Sequence, residues 1–240
     1  MSHGHKPGAV PPAPGDAGHE GMTSSLLYID DDLLAADKSE GLATIPERGA
    51  QTDCLLARLQ DELAQKLFVV HRLDKEVSGI VLFARHAAAH RRLNMAFERR
   101  EIEKHYRALV FGTLHRKEGR MDQPLREFGS GRMGVDAQAG KSSLTAYQVL
   151  KEGNGYSLVD VYPITGRRHQ IRVHLYAMGH AIVGDRRYGD RRVQGNHPRL
   201  MLHAERITFG LFSGEIITLS SPLPSSFTAV LQQLGGNDLL

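Results

Sequence analysis

The feature that most constrains this chain is a series of short aliphatic and β-branched runs set at intervals from residue 26 to residue 221. They read LLYI and LLAA before residue 38, LFVV at 67–70, SGIVLFA at 78–84 and HYRALVFG at 105–112, then LTAYQVL, YSLVDVYPI, LHAERITF and EIITLSS. Apolar runs of this length, several of them alternating, are strand signals. Asp30–Asp32 separates the first two as a turn would. Helical patterns are fewer. Residues 53–65 place Leu55, Leu56, Leu59 and Leu63 on one face, with Asp53 as the expected N-cap. Residues 86–100, 168–178 (stopped by Gly179) and 225–234 supply three more. A Gly- and Arg-rich stretch, 118–141, reads as a loop. Many strands with a few helices between them predict an α+β fold: a mixed, mainly antiparallel sheet flanked by helices. Residues 1–24 are rich in Pro, Gly and His without hydrophobic period and are expected to be a disordered tail, leaving 25–240 as one domain.

Composition removes whole classes. A chain of 240 residues that is 41% hydrophobic can bury a sizeable core, and it has no run long enough for a membrane-spanning helix. Its single cysteine, Cys54, excludes an internal disulfide and a multi-thiolate metal site. No secretory signal is recognisable, so the expected setting is the cytoplasm, without membrane attachment. Charge is unevenly spread. Residues 1–65 hold 4 Lys+Arg against 11 Asp+Glu, whereas 85–120 hold 10 against 4 and 166–206 hold 9 against 3. Two Arg-rich blocks suit a polyanion. Aromatics make up 6% with no Trp, too few for an extended single-strand stacking platform.

Three short segments carry chemistry. In His71-Arg72-Leu73-Asp74, an aspartate follows an apolar run and precedes Ser78-Gly79 and a second run. A carboxylate at the end of a buried strand is held rigidly and suits a nucleophile or general base, though an aspartate there is also a common turn former. Gly166-Arg167-Arg168-His169-Gln170-Ile171-Arg172-Val173-His174 crowds three arginines and two histidines into nine residues. On a helix, Arg168 and Arg172 would point to one side. Lys104-His105-Tyr106-Arg107 opens the strand at 105–112, where a tyrosine packs half-buried.

In order and approximate spacing, HRLDKEVSG, KHYRALVFG and GRRHQIRVHLYAMGHAIVGDRRYG resemble the RluA-type family of RNA pseudouridine synthases. The resemblance spans most of residues 26–209. It implies a sheet crossed by a basic active-site cleft, and a reaction needing neither metal nor organic cofactor. It implies that Asp74 is the essential aspartate, that Tyr106 packs against the target base and is a candidate for removing the proton at C5, and that Arg172 pairs with the aspartate. Arg72 matches the arginine that helps displace the flipped base. His71, Arg167, Arg168, His169 and Gln170 would complete the substrate-binding surface. Physical chemistry agrees: breaking the N1–C1′ bond can begin with a carboxylate attacking C1′ or removing a sugar proton, an adjacent arginine keeps that carboxylate ionised, and a flat ring lets the freed base turn.

The chain departs from the family pattern in three places. Val77 replaces a Thr behind the aspartate, Lys38-Ser39 replaces Lys-Pro, and Arg168 stands where Thr or Ser is common. The S4-type RNA-binding domain of many relatives has no counterpart before Leu26, so grip is expected from the catalytic domain itself. The expected partner is a stem-loop of ribosomal or transfer RNA, bound by a monomer. Competing readings are an inactive RNA-binding protein of the same fold, a metalloenzyme using His86 and His90, which stand four apart, and a Cys54 nucleophile. The second lacks the glutamate of an HExxH helix, and the third places Cys54 mid-helix among leucines.

Overall fold

In the computed structural model, residues 26–46, 53–235 and 239 are described, and the tail expected at 1–24 lies outside them. The order is β1 (Leu26–Ile29), β2 (Leu33–Lys38), α1 (Leu55–Leu63), β3 (Phe68–Val69), β4 (Ser78–Ala84), α2 (Ala87–Glu98), β5 (Glu103–Phe111), β6 (Glu118–Met121), β7 (Leu125–Glu127) and β8 (Met133–Val135). There follow β9 (Thr145–Gly153), β10 (Tyr156–Pro163), α3 (Gln170–Ala177), α4 (Arg191–Gln194), β11 (Leu202–Gly210), β12 (Ile216–Ser220) and α5 (Ser225–Gly235). One large sheet runs β1-β2-β4-β11-β5-β10-β9-β6, with β12 added to β11 and β3 to β4. Among the described residues only the β4–β11 pairing is parallel. The fold is the mixed, mainly antiparallel α+β architecture that the pattern of runs predicts.

Strand alternation divides the core between the two faces. Leu34, Ala36, Val81 and Phe83 join one cluster with Leu55 and Leu59 of α1, Ile171 and Leu175 of α3, and Phe227 and Leu231 of α5. Leu33, Ala35, Ile80, Leu82 and Ala84 join the other with Ala89 and Leu93 of α2. All seven residues of β4 are buried because both faces are covered, which is why the run is apolar without a break from Ile80 to Ala84.

Several expectations are corrected. Cys54, not Asp53, caps α1: its Sγ accepts from the Ala57 N–H, while Asp53 precedes the helix and pairs with Arg58. Cys54 is thus buried at a helix start, not mid-helix. The stretch 118–141 is not a plain loop. It holds β6, which extends the main sheet, and the β7–β8 hairpin, whose Leu125 and Met133 pack with Val173 and Tyr188. Its glycines and arginines mask strands of three or four residues. His86 and His90 are structural: His86 caps α2 and pairs with Asp32, and His90 meets the Val69 carbonyl.

The parallel seam sets the geometry of the site. Gly79 pairs with Ala204 at a φ of 113°, and a Cβ built there would lie 2.2 Å from the Ala204 carbonyl oxygen. Gly79→Ala is therefore expected to cost at least about 3 kcal/mol, combining strained backbone with a main-chain clash. Urea denaturation measures it, and an unchanged midpoint would mean that the seam shifts freely.

Candidate active site

Asp74 stands in the loop between β3 and β4. This corrects the expectation of a long buried strand ahead of it, since β3 has two residues and both are half-buried. The loop is rigid for other reasons. Thr44 Oγ1 donates to the Leu73 carbonyl and accepts from the Leu73 N–H, and the Val77 N–H donates to the Asp74 carbonyl. The fully buried Lys38 ammonium donates to the carbonyls of Ser39, Leu42 and Lys75. Burial pushes Lys38 down to about 8, opposed by the charges of Asp74, Glu76 and Glu40. The Lys38-Ser39 departure therefore does not loosen the segment, because the lysine itself ties it to the residue after Asp74. Val77, in place of Thr, is buried in the core.

Arg172 comes to Asp74 from α3. Its Nη1 lies 3.1 Å from Asp74 Oδ2 and 3.4 Å from Glu76 Oε2. The rest of the guanidinium is held by a planar two-point fork: Nε and Nη2 donate to the two carboxylate oxygens of Asp185, each at 2.8 Å. The Asp185 side chain is fully buried and also accepts from the N–H groups of Arg187 and Tyr188. Burial disfavours the charge on Arg172, but Asp185 more than compensates and raises its pKa. Such a fork demands Arg rather than Lys. Asp185, within VGDRRYG, was not singled out by the sequence; a lone Asp between Gly and Arg gives no local sign of a partner 13 residues upstream.

Tyr106, on β5, faces the same cavity, and burial together with the Asp74 charge pushes its phenol well above the ordinary range. It presents a flat, neutral ring to the cavity that Asp74 also lines. The cavity, of about 490 Å³, is also lined by His71, Arg72, Lys104, Arg167, His169, Gln170 and Arg172. Arg72 is exposed and free of any ion pair among the described residues. His71 is a wall: its Nε2 accepts from the Leu82 N–H at 2.9 Å, and burial pushes it down to about 3. His169, at a φ of 52°, is pushed down to about 4 by burial, so it is neutral at pH 7. Its Nδ1 pairs with the Tyr188 hydroxyl at 2.8 Å, and its Nε2 stands 3.8 Å from Asp74 Oδ2, beyond hydrogen-bond range.

Two motif residues are committed elsewhere. Gln170 is buried with its amide fully used: Oε1 accepts from Thr165 Oγ1 and the Arg167 N–H, and Nε2 donates to the Leu144 carbonyl and Thr145 Oγ1. It braces the cavity wall. Arg168 does not share a face with Arg172, because α3 begins at Gln170 after the left-handed turn at His169, and Arg168 instead pairs with Glu127 of β7.

The match of residues 32–177 to the model for RNA pseudouridylate synthases decides the family. The chain belongs to the RNA pseudouridine synthases. It is 35% identical to an uncharacterized RNA pseudouridine synthase of Zymomonas mobilis over 218 residues, 86% of this chain and 97% of that one. It is 38% identical to the dual-specificity RNA pseudouridine synthase RluA of Escherichia coli over 187 residues, 76% of this chain and 85% of that one. Among solved structures, human RNA pseudouridylate synthase domain containing 4 matches with a TM-score of 0.73 at 25% identity, covering 88% of this chain and 92% of its own. This pseudouridine synthase therefore carries its Asp74–Arg172–Asp185 row and Tyr106 on the fold those relatives share.

Proposed function

We propose that this pseudouridine synthase isomerises uridines in or beside a stem-loop of ribosomal or transfer RNA, with Asp74 starting the reaction at the sugar. The observation that carries the reading is the row itself: a partly exposed carboxylate at 24%, gripped by a guanidinium at 3% that a fully buried aspartate orients, opening into a cavity beside a neutral aromatic ring. Preorganisation of this kind aims Asp74 while its other oxygen stays available to substrate. Arg72, exposed and unpaired at the cavity, is placed to fill the stack that a flipped uridine leaves.

Support for a structured RNA comes from a second cavity of about 820 Å³ that shares Arg172 with the first. Arg132, Arg186, Arg187, Arg191 and Arg199 line it, against Glu40 and Glu76. Arg199 is buried and paired with Glu40, so it forms part of the floor, while the others come from the β7–β8 hairpin, the loop before α4 and α4 itself and converge on one basic track that suits a folded phosphate backbone. The resemblance of its motifs to the RluA-type family makes ribosomal and transfer RNA the substrates to examine, and the relative of Escherichia coli is itself named for dual specificity. All side chains of the row belong to one chain, so the proposed reaction asks for no residue from a partner subunit. Among the described residues no helix is long and apolar enough to cross a membrane.

Pseudouridine mapping of total RNA from cells with and without the gene tests the reading. The expected result is one or a few sites in loops or loop-adjacent positions that vanish and return with the wild-type gene. An unchanged map across ribosomal and transfer RNA would overturn the substrate assignment and favour an inactive RNA-binding protein of this fold.

A further inference from the structure

On β5 the side chains alternate between two electrostatic settings. On the face away from the cavity, His105 lies 2.9 Å from Asp160 and 3.2 Å from Glu205, and Arg107 contacts the same two carboxylates. Burial opposes the imidazolium, but the two carboxylates raise the pKa of His105, and Glu205 is pulled down to about 2 by its bond to His105. Those two side chains are paired. Lys104 is not.

Lys104 and Tyr106 are two residues apart on one strand, so they face the same side and line the same cavity. The Lys104 ammonium makes no hydrogen bond or ion pair among the described residues. The cavity's two carboxylates, Asp74 and Glu98, do not pair with it. It stands over the 163–167 loop, 3.8 Å from where a Gly166 Cβ would lie. Asp74, Tyr106 and Lys104 thus line one cavity, with the ammonium two strand positions from the ring. Lys104 is half-buried on this strand, and burial pushes its ammonium down to about 8. A strand rises about 3.3 Å per residue, which separates the two positions by roughly the span of a pyrimidine ring.

We propose that Lys104 is a catalytic residue of this reaction, donating a hydrogen bond to a carbonyl oxygen of the target uracil. The proposal rests on Asp74 acting at the sugar. With C1′ at the carboxylate and the base against Tyr106, the far edge of the ring points towards Lys104. When the N1–C1′ bond breaks, its electron pair stays with the uracil and the charge spreads over the ring onto O2 and O4. An ammonium at one of those oxygens stabilises the departing anion. When C5 bonds to C1′, C5 loses its proton and N1 takes one, so substrate and product are isomers and the ammonium ends unchanged. A phosphate role fits less well, because the exposed Arg72 and Arg167 already occupy the outer part of the cavity.

The test uses the full chain and an RNA carrying a uridine that the wild-type protein converts, so failure of the substrate assignment shows first as no wild-type turnover. Lys104→Met is expected to lower kcat by about 100-fold while RNA Kd and KM change less than about threefold, and Lys104→Arg to recover part of the loss. RNA with 2-thiouridine or 4-thiouridine at the target should slow the wild-type protein at one of the two positions, where sulfur accepts poorly. The same replacement should cost Lys104→Met little more, the coupling expected of groups in contact. A raised KM with unchanged kcat, and a salt dependence of binding weakened by about one phosphate contact, would overturn the proposal in favour of backbone binding. Unchanged kcat and KM would overturn it outright.

Discussion

Asp74→Asn is expected to abolish pseudouridine formation, lowering single-turnover conversion by at least about 10²–10⁴-fold. Asparagine keeps the shape of the side chain and an oxygen for Arg172, but it can neither attack C1′ nor accept a sugar proton. The fold should tolerate the change. Asp74 is partly exposed, and its loop is held by Thr44, Val77 and Lys38 through main-chain groups that asparagine leaves in place. A stability change within about 1 kcal/mol is expected, with RNA affinity preserved. Conversion by the variant above about one hundredth of the wild-type rate, measured on the same RNA, would remove Asp74 as the group that starts the reaction.

Arg172→Met is expected to fail in two separable ways. The Asp185 carboxylate, fully buried, loses both hydrogen bonds of its fork and keeps only the N–H groups of Arg187 and Tyr188. Leaving a buried charge without its partner costs about 3–5 kcal/mol, visible as a lower denaturation midpoint. Conversion is lost as well, because nothing else brings a cation within 3.1 Å of Asp74 Oδ2 among the described residues. Adding Asp185→Asn should restore part of the stability and none of the activity. A lysine at 172 lacks the planar fork that grips Asp185 at two points while a third nitrogen reaches Asp74, so Arg172→Lys should be folded and strongly impaired. A single Met variant with a wild-type midpoint would show that the fork contributes no net stability, and recovery of activity in the double variant would assign Arg172 a purely structural role.

The architecture was largely readable from residue pattern alone because strand signals are local. The apolar run Ile80–Ala84, entered through Ser78-Gly79, announces a strand covered on both faces, and the alternation at 156–163 announces a strand of the same sheet. Where the pattern was diluted it misled. Strands of three or four residues within 118–141 hold too few apolar positions to show a period, and the cap of α1 moved from Asp53 to Cys54 because a thiol can accept an N–H where a carboxylate was the stronger expectation.

The sequence by itself determined which chemical groups this protein has: a carboxylate in HRLD, a tyrosine on the strand at 105–112, an arginine-rich segment at 166–174 and the order that joins it to its family. Only the tertiary structure decided how those groups divide their work. Residues four apart share a face only if one helix contains both, and the left-handed turn at His169 sends Arg168 to Glu127 while Arg172 turns inward. Gln170 and His71, neighbours of catalytic candidates in sequence, are spent on bracing the wall. Asp185, Lys38 and Lys104 gain their meaning from burial and from partners, or the lack of them, on other strands. Desolvation and charge pairing depend on distance in space, and a linear motif carries no record of that distance.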